Sequence, residues 1–267
     1  MNKFYIQIVF FLLSITLYAD NKTLATEPVP EENITPESNN FYPTSEEIYE
    51  KNQHLLCTNP DEIAEANRLT NDAIKHLKYH ATNKDGYKFI WEDPFRDIFC
   101  FKKKHNDRIN FERLKYIIRD SDQYNEEINK LWDPDSPNLL DSESVKRKIV
   151  RVYSPNLVMI QQRYEDPMSG HPKYFYALAK KTQISKDKTI IAMTSANIND
   201  HHPSTKKYKN KIIESANLFT TEIDSEDDIR NGKIKKAFVN VAGYLIQKKD
   251  SYVDVIYVES IDGNTPF

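Results

Sequence analysis

The chain has 267 residues, of which 39% are apolar and 29% charged, and its formal net charge is −3. These values are ordinary for a globular protein and exclude a wholly disordered or strongly basic chain. Two cysteines are too few for a disulfide scaffold, and five glycines give no sign of phosphate-cradling loops.

The N-terminus has the composition of a secretory leader. Lys3 is followed by an almost wholly apolar run from Phe4 to Tyr18, and then by the small residue Ala19. This order predicts a signal peptide over residues 1–19. The run is shorter than the ~20 residues of a helix that spans a bilayer. An uncleaved membrane anchor is the alternative interpretation.

Residues 20–43 are acidic, rich in Pro, Asn, Glu and Thr, and poor in apolar side chains. Such a segment cannot bury enough apolar surface to offset its ordering entropy, so we predict a disordered linker. From residue 20 to residue 60 the chain carries eight acidic and two basic residues, a balance of −6, and residues 61–267 are mildly basic, at about +2. A single folded domain is predicted over residues 44–267.

The domain is predicted to begin with two helices. Thr44 and Glu47 have the spacing of a capping box, which indicates a short first helix. Asn59-Pro60 then combines a cap residue with proline at the first helical position. Apolar residues recur at helical spacing from Ile63 to Leu77, which predicts a long amphipathic second helix.

The next part of the chain is predicted to mix strands and helices. Residues 87–91 and 98–103 have the composition of strands. Residues 110–118 are predicted as a helix because Phe111, Leu114 and Ile118 would share one helical face. A further helix is predicted from Asp120 to Trp132, ended by Asp133-Pro134.

After Ser144 the sequence favours strands. The order is therefore helices, two strands, two helices and then about five to seven antiparallel strands, which predicts an α+β fold. The strand-like runs are residues 149–153, 157–164, 174–180, 189–194 and 216–223, with 237–247 and 252–259 as a closing hairpin.

Several predicted strands carry polar side chains on otherwise apolar faces. Alternation places Leu157, Met159 and Gln161 on one face, with Tyr257 and Glu259 sharing a face of the last strand. A buried polar group without a partner costs free energy, so each of these residues needs one. A lipid head group is one such partner. The alternatives are a position at the solvent edge or pairing among themselves.

No nucleophile elbow, phosphate loop, dinucleotide fingerprint or metal-ligand spacing is present in the sequence. We therefore expect a protein that is not an enzyme and has no cofactor or metal. The mildly basic body of a secreted chain gives no reason to expect a nucleic-acid partner. Cys57 and Cys100 either pair as a disulfide, or Cys100 is simply buried in its apolar run.

The order of these elements resembles that of a START lipid-transfer domain over roughly residues 44–267. The segment from Asp120-Ser121-Asp122 to Trp132-Asp133 is similar to the Asp-Ser-Asp…Trp-Asp segment of START domains. The strand before the Pro203 loop and the turn Ile261-Asp262-Gly263-Asn264-Thr265-Pro266 are also similar to START segments.

The whole chain, including its leader, resembles the fam-a multigene family of malaria parasites (Plasmodium). Leu55-Leu56-Cys57 and the stretch Thr194-Ser195-Ala196-Asn197-Ile198-Asn199-Asp200 carry this resemblance. It implies secretion, into the parasitophorous vacuole or onward into the host cell. Residues 22–27 depart twice from the export motif of such proteins, with Lys22 in place of Arg and the acid one position late. Secretion is therefore expected, whereas an export signal is not established.

The START resemblance implies a helix-grip fold, in which a curved antiparallel sheet grips a long helix around a hydrophobic tunnel. It also implies non-covalent binding of phospholipid or sterol. Asp133 matches the Asp that lies near the head group in phosphatidylcholine-binding relatives, but Asn129 replaces their Arg and Leu157 replaces a cage aromatic. START domains end in a long helix, and Phe267 stands where that helix would begin. We therefore expect a C-terminally truncated START-like domain.

The resulting hypothesis is a secreted, monomeric lipid carrier that contacts membranes transiently and transfers phospholipid or sterol between them. The alternative is a secreted host-interaction protein that has kept the START-like scaffold and lost lipid transfer, with host proteins as its partners. The candidate lipid-binding residues are Asp133, Arg151, Tyr153, Leu157, Met159, Gln161, Tyr176, Phe238, Tyr244 and Tyr257.

Overall fold

A computed structural model of the chain describes residues 42–106, 109–137, 140, 144–165 and 172–263. The predicted signal peptide over residues 1–19 and nearly all of the predicted linker lie outside these residues. The last part of the START-like turn, Asn264-Thr265-Pro266, also lies outside them.

Both N-terminal helices begin where their cap residues predicted. In α1, Ser45–Lys51, the Thr44 hydroxyl accepts from the Glu47 amide at 3.2 Å, and the Glu47 carboxylate accepts from the Thr44 amide at 2.7 Å. In α2, Pro60–Thr82, the Asn59 side chain accepts from the Asp61 amide at 3.0 Å. These bonds satisfy amides that have no partner inside a helix. The buried stripe of α2 consists of Ala66, Leu69, Ala73, Leu77 and Ala81.

The prediction of a helix over residues 110–118 is wrong, because this segment is strand β3, Ile109–Ile118. It lies between the strands Ile98–Asn106 and Val253–Asp262, with Leu114 paired to Cys100 on one side and to Tyr257 on the other. Both faces of the sheet are buried here: Phe111 points to one core and Leu114 to the other. Apolar residues therefore occur on both faces of this strand, and the segment lacks the alternation of apolar and polar residues that marks a half-exposed strand. The spacing of Phe111, Leu114 and Ile118 happened to match one face of a helix.

The helix predicted before Asp133 is confirmed. A 3-10 turn, Ser121–Gln123, leads into α3, Tyr124–Trp132, and Asp133 is its C-terminal cap residue. The stretch predicted as extended over residues 216–223 is only partly so. It begins in a 3-10 helix, Glu214–Asn217, and contains the short strand Thr220–Glu222.

The strands form one large sheet with the order β1-β2-β3-β12-β11-β7-β6-β5-β4. Neighbours on this path are antiparallel, and the short β10 adds to β6 in parallel. Two short strands, β8 and β9, pair separately. The described elements not yet given bounds are β1 Lys88–Asp93, β2 Ile98–Asn106, β4 Ser144–Ser154, β5 Leu157–Glu165, β6 Lys173–Ser185, β7 Lys188–Thr194, β8 Asn197–Asn199, β9 Thr220–Glu222, α4 Asp227–Arg230, β10 Lys235–Lys236, β11 Phe238–Lys248 and β12 Val253–Asp262.

Each face of this sheet has its own apolar core. The first face packs against α2 and against the connection between β7 and β10, and we call it the helix face. The second face packs against apolar residues of α1 and α3, and we call it the opposite face. Layers on both sides of a mostly antiparallel sheet confirm the α+β prediction.

A glycine sets the close approach of β11 to β7. Gly243 has a φ of +140°, and a Cβ built on it would lie 2.0 Å from the carbonyl oxygen of Ile191. Neither the backbone conformation nor the space admits a side chain. The close approach of these two strands at the centre of the sheet therefore depends on this residue.

Candidate functional site

The ten candidate lipid-binding residues are not brought together in one place. The largest group lies on the helix face, beside α2 and the segment that carries α4. A second group lies on the opposite face, and two residues lie elsewhere. The helix-face group is Arg151, Tyr153, Leu157, Met159, Gln161 and Tyr176.

On the helix face, Arg151 and Tyr153 converge on a glutamate of α2. Arg151 Nη1 lies 2.7 Å from Glu62 Oε1, and the Tyr153 hydroxyl donates to the same oxygen at 2.8 Å. Arg151 also contacts the Thr221 hydroxyl and donates to the Glu222 carbonyl. Burial alone would raise the pKa of Glu62, but these hydrogen bonds and the Arg151 charge hold it below its ordinary value.

Gln161 belongs to a second network on the same face. Its amide nitrogen donates to the Tyr176 hydroxyl at 2.6 Å and to Glu226 at 2.8 Å, and Arg163 bridges Glu226 and Asp228. Burial would raise the pKa of Glu226, but bonds from Lys148 and Gln161 lower it to about 2. The polar side chains of this face are thus partnered by the protein itself, which was the alternative interpretation of such residues.

On the opposite face, Tyr244 and Tyr257 lie side by side, with ring centroids 4.8 Å apart. The Tyr257 hydroxyl donates to Glu259 Oε2 at 2.7 Å. Across the sheet, Glu259 is opposite Glu112 of β3, and Glu112 is opposite Lys102 of β2. Lys102 Nζ lies 2.8 Å from Glu112 Oε1 and so offsets that carboxylate.

Lys102, Glu112 and Glu259 form a row across three strands, and Glu259 is the member whose charge is least offset by an opposite charge. It is 7% exposed, and among the described residues no Lys or Arg lies within ion-pair distance of it. Burial raises its pKa to about 7; the Tyr257 hydrogen bond lowers the value, and Glu112 raises it. Near neutral pH its carboxyl group therefore exists in both forms. With Tyr257 it makes a polar pair within an apolar wall.

The only cysteine near this row is not a nucleophile at neutral pH. Cys100 is buried, and burial raises its pKa to about 11, so its thiol stays protonated. Cys57 and Cys100 are both free thiols, so they do not form the disulfide that the sequence left open. The row can donate and accept hydrogen bonds, and it presents no activated group.

Asp133 lies apart from this row, in a surface cleft of about 540 Å³ between α1, the end of α3 and β4. Burial raises the pKa of Asp133, and its carboxylate accepts from the Asp135 amide at 3.0 Å. Among the described residues, the buried Ser45, Trp132 and Ser136 each have a side-chain polar atom without a hydrogen-bond partner. The cleft is lined by Pro43, Glu47, Ile48, Lys51, Asn52, Asp133, Pro134, Asp135, Lys148 and Ile149.

Phe238, the remaining candidate, stacks on the ring of Tyr208, with centroids 5.4 Å apart. It belongs to neither of the two apolar cores of the sheet. The ten candidate residues thus lie in four places: the networks that face α2, the tyrosine pair on the opposite face, the surface cleft and a contact with a loop.

Three residues of this row were not among the ten candidates chosen from the sequence, namely Glu259, Glu112 and Lys102. Glu259 shared a predicted face with Tyr257, and its polarity on an apolar strand was the available signal. Glu112 had no such signal, because its segment was predicted as a helix. Only the register of β3 between β2 and β12 aligns the three residues.

Two general features of the described residues bear on function. They contain no cluster of three His, Cys, Asp or Glu side chains arranged to hold a metal ion. None of their helices is long and apolar enough to cross a membrane.

Comparisons with known proteins identify the fold. No protein-family model matches the sequence, and no curated protein matches it. The structure is similar to human StAR-related lipid transfer protein 5, with a TM-score of 0.53 and 14% identity over 76% of this chain and 85% of that one. Human STARD10 matches with a TM-score of 0.49 and 11% identity over 73% of this chain and 68% of that one.

The similarity at a TM-score of 0.53 confirms the predicted START-like helix-grip fold. At 14% identity the likeness extends to the fold alone.

Proposed function

We propose that this protein binds a single lipid non-covalently against the opposite face of its sheet and carries it between membranes. The activity is binding and release, and no bond is made or broken. The START-like fold supports the lipid class of ligand by analogy, because the fold neighbour is named as a lipid-transfer protein.

One observation carries this proposal: the buried carboxyl group of Glu259, which accepts from the partly buried Tyr257, lies beside apolar side chains of the sheet. The side chains around it on the opposite face include Leu114, Tyr244 and Val255. An ionised Glu259 at this position costs free energy, because its charge is buried with a neutral hydroxyl as its hydrogen-bond partner. A ligand with a hydroxyl at its polar end adds a second hydrogen bond to this carboxyl group, and its apolar body lies against the apolar side chains of the same face.

The charges of the row favour a sterol over an anionic phospholipid as the ligand. Glu259 and Glu112 are both acidic, and Lys102 is already paired with Glu112. A phosphate group placed beside Glu259 would meet a like charge. A hydroxyl group, as in a sterol, can donate to the Glu259 carboxylate or accept from the protonated acid. We therefore propose a neutral hydroxyl-bearing lipid as the preferred cargo, ahead of anionic phospholipid.

We also propose that the protein is secreted as a monomer and that it belongs to the parasite family it resembles. The composition of residues 1–19 supports secretion, and the local strings already described support the family resemblance. Both remain predictions. The N-terminal mass of the protein recovered after secretory expression tests the first, because cleavage after Ala19 gives one defined mass.

The test of cargo is native mass spectrometry of that secreted protein after incubation with vesicles of mixed phospholipid and sterol. We expect one added mass per protein, matching sterol. A phospholipid mass would refute the preference for a neutral hydroxyl. A folded protein that carries no lipid would refute the function and favour the alternative of a host-protein partner.

The matched variants are Tyr257→Phe and Asp133→Asn. The first removes one hydroxyl and keeps the ring, and we expect it to reduce sterol loading about fivefold, the value of roughly one hydrogen bond. The second neutralises the cleft and should leave loading unchanged. The reverse result would place the head group at the cleft of Asp133.

A further inference from the structure

The hairpin of β1 and β2 exposes large apolar side chains that the protein does not cover. Phe95, at the turn, is 97% exposed, and Phe89 and Ile90 of β1 are 55% and 51% exposed. Trp91 and Phe99 are also exposed. Of the nine large apolar residues that are exposed in the described part of the chain, five lie in this one hairpin. Exposed large apolar side chains concentrated in one element of a fold mark an interaction surface.

The turn is held so that Phe95 points into water. The Asp93 carboxylate accepts from the amides of Phe95 and Arg96 at 3.0 and 3.2 Å, and Arg96 Nε lies 2.7 Å from it. Arg119, after β3, pairs with Asp97 on the other side of the turn. The apolar tip is therefore ordered before any partner arrives, which lowers the entropy lost on binding.

The edge strand β1 is poorly suited to pairing with a strand of another chain. Its register with β2 shifts between Phe89 and Trp91, which marks a bulge. Charged residues, Lys88 and Glu92, stand on the strand, and Pro94 follows it. Bulges and edge charges are the features that block edge-to-edge association. We therefore do not expect this edge to pair with a strand of a second copy of the chain.

Lys88 and Lys103 lie at the base of the hairpin, where they can face an anionic surface, whereas two acids of the turn are each paired with an arginine. Between residues 84 and 104, basic residues outnumber acidic ones six to four. Lys88 is exposed at the start of β1, and Lys103 lies over the Tyr87 ring at 5.6 Å. Tryptophan and phenylalanine beside lysine are the side chains that enter the interfacial layer of a bilayer.

We propose that the β1–β2 hairpin is the membrane-docking surface of this protein, and that Phe95 and Trp91 enter the interface of a phospholipid bilayer. The purpose of such docking rests on the proposed lipid-carrying function, because a carrier must meet the membranes it serves. Its test is independent, because docking is measured without cargo.

The experiment is flotation of the secreted protein with phosphatidylcholine vesicles, with and without phosphatidylserine. Emission of Trp91 is followed at the same time with brominated lipid as the quencher. Trp132 is buried and serves as an internal reference. We expect binding that phosphatidylserine strengthens, with partial quenching from Trp91.

The decisive variant is Phe95→Ser, because so exposed a side chain cannot be needed for folding. It should weaken vesicle partitioning about tenfold, the value of roughly one buried phenylalanine. Leu218→Ser is the control, since Leu218 is 67% exposed outside the hairpin. Unchanged partitioning of Phe95→Ser, or an equal loss in both variants, would overturn the proposal.

Two further outcomes separate the proposals. Vesicle binding by a protein that never loads lipid would keep the docking surface and refute the lipid-carrying function. Lipid loading with no vesicle binding would do the reverse. A concentration-dependent dimer that Phe95→Ser abolishes, without vesicle binding, would assign the hairpin to a second copy of the chain and overturn membrane docking.

Discussion

Replacing Glu259 by glutamine is expected to stabilise the protein at alkaline pH and to do almost nothing at acidic pH. The pKa of Glu259 rises from an ordinary value of 4.5 to about 7 in the folded protein. The folded state then keeps a proton that the unfolded state has lost, so the free energy of unfolding falls as pH rises from 4.5 to 7. Above pH 7 the full cost, about 3 kcal/mol, is present.

Glutamine cannot ionise, and its amide oxygen can still accept from the Tyr257 hydroxyl. The other titrating groups remain in both proteins, so their contributions largely cancel in the difference. The stability of Glu259→Gln minus that of the unmodified protein should therefore grow from under 1 kcal/mol near pH 5 to about 3 kcal/mol at pH 8.

The assay is urea denaturation of the delipidated protein at pH 5, 6, 7 and 8. Glu65→Gln, an exposed glutamate of α2, is the matched control and should give a flat difference. A flat difference for Glu259→Gln as well would refute the reasoning, because Glu259 would then be solvated or paired. A difference that shrinks with rising pH would refute it too.

Three predictions concern the fold. Gly243→Ala should cost at least about 3 kcal/mol or prevent folding, whereas Gly86→Ala, whose Cβ would meet only the flexible Lys103 side chain, should cost about 1 kcal/mol in urea denaturation. Arg151→Met should cost about 2 kcal/mol by leaving Glu62 without its cation, and lipid loading should not change; lost loading at unchanged stability would make Arg151 a ligand contact instead. Leu77→Ala should cost about 3 kcal/mol because the side chain is fully buried, and a loss under 1 kcal/mol would mean that α2 is not packed as described.

The elements that local chemistry dictates were predictable from the sequence. The capping box at Thr44 predicted the start of α1, and Asn59-Pro60 predicted the start of α2. Both were predictable because a cap residue bonds to amides within three residues of itself. The closing hairpin of β11 and β12 was predictable because its two apolar runs are long and separated by a short polar turn. The α+β class followed from the order of these elements.

The candidate site was less predictable, because it depends on which face each strand turns inward. Both faces of the central strands are buried, so apolar character alone does not separate the helix face from the opposite face. Gln161 and Tyr257 therefore looked alike in sequence. Each is hydrogen-bonded to a glutamate of the protein, but Gln161 lies on the helix face, and Tyr257 lies on the opposite face.

The sequence by itself determined the helix starts, the α+β class and the presence of polar groups on apolar strands, since each depends on neighbours along the chain. The tertiary structure alone decided that residues 109–118 form a strand between β2 and β12, and that Lys102, Glu112 and Glu259 stand in one row. These residues are far apart in sequence and are aligned only by strand register, which local periodicity does not encode.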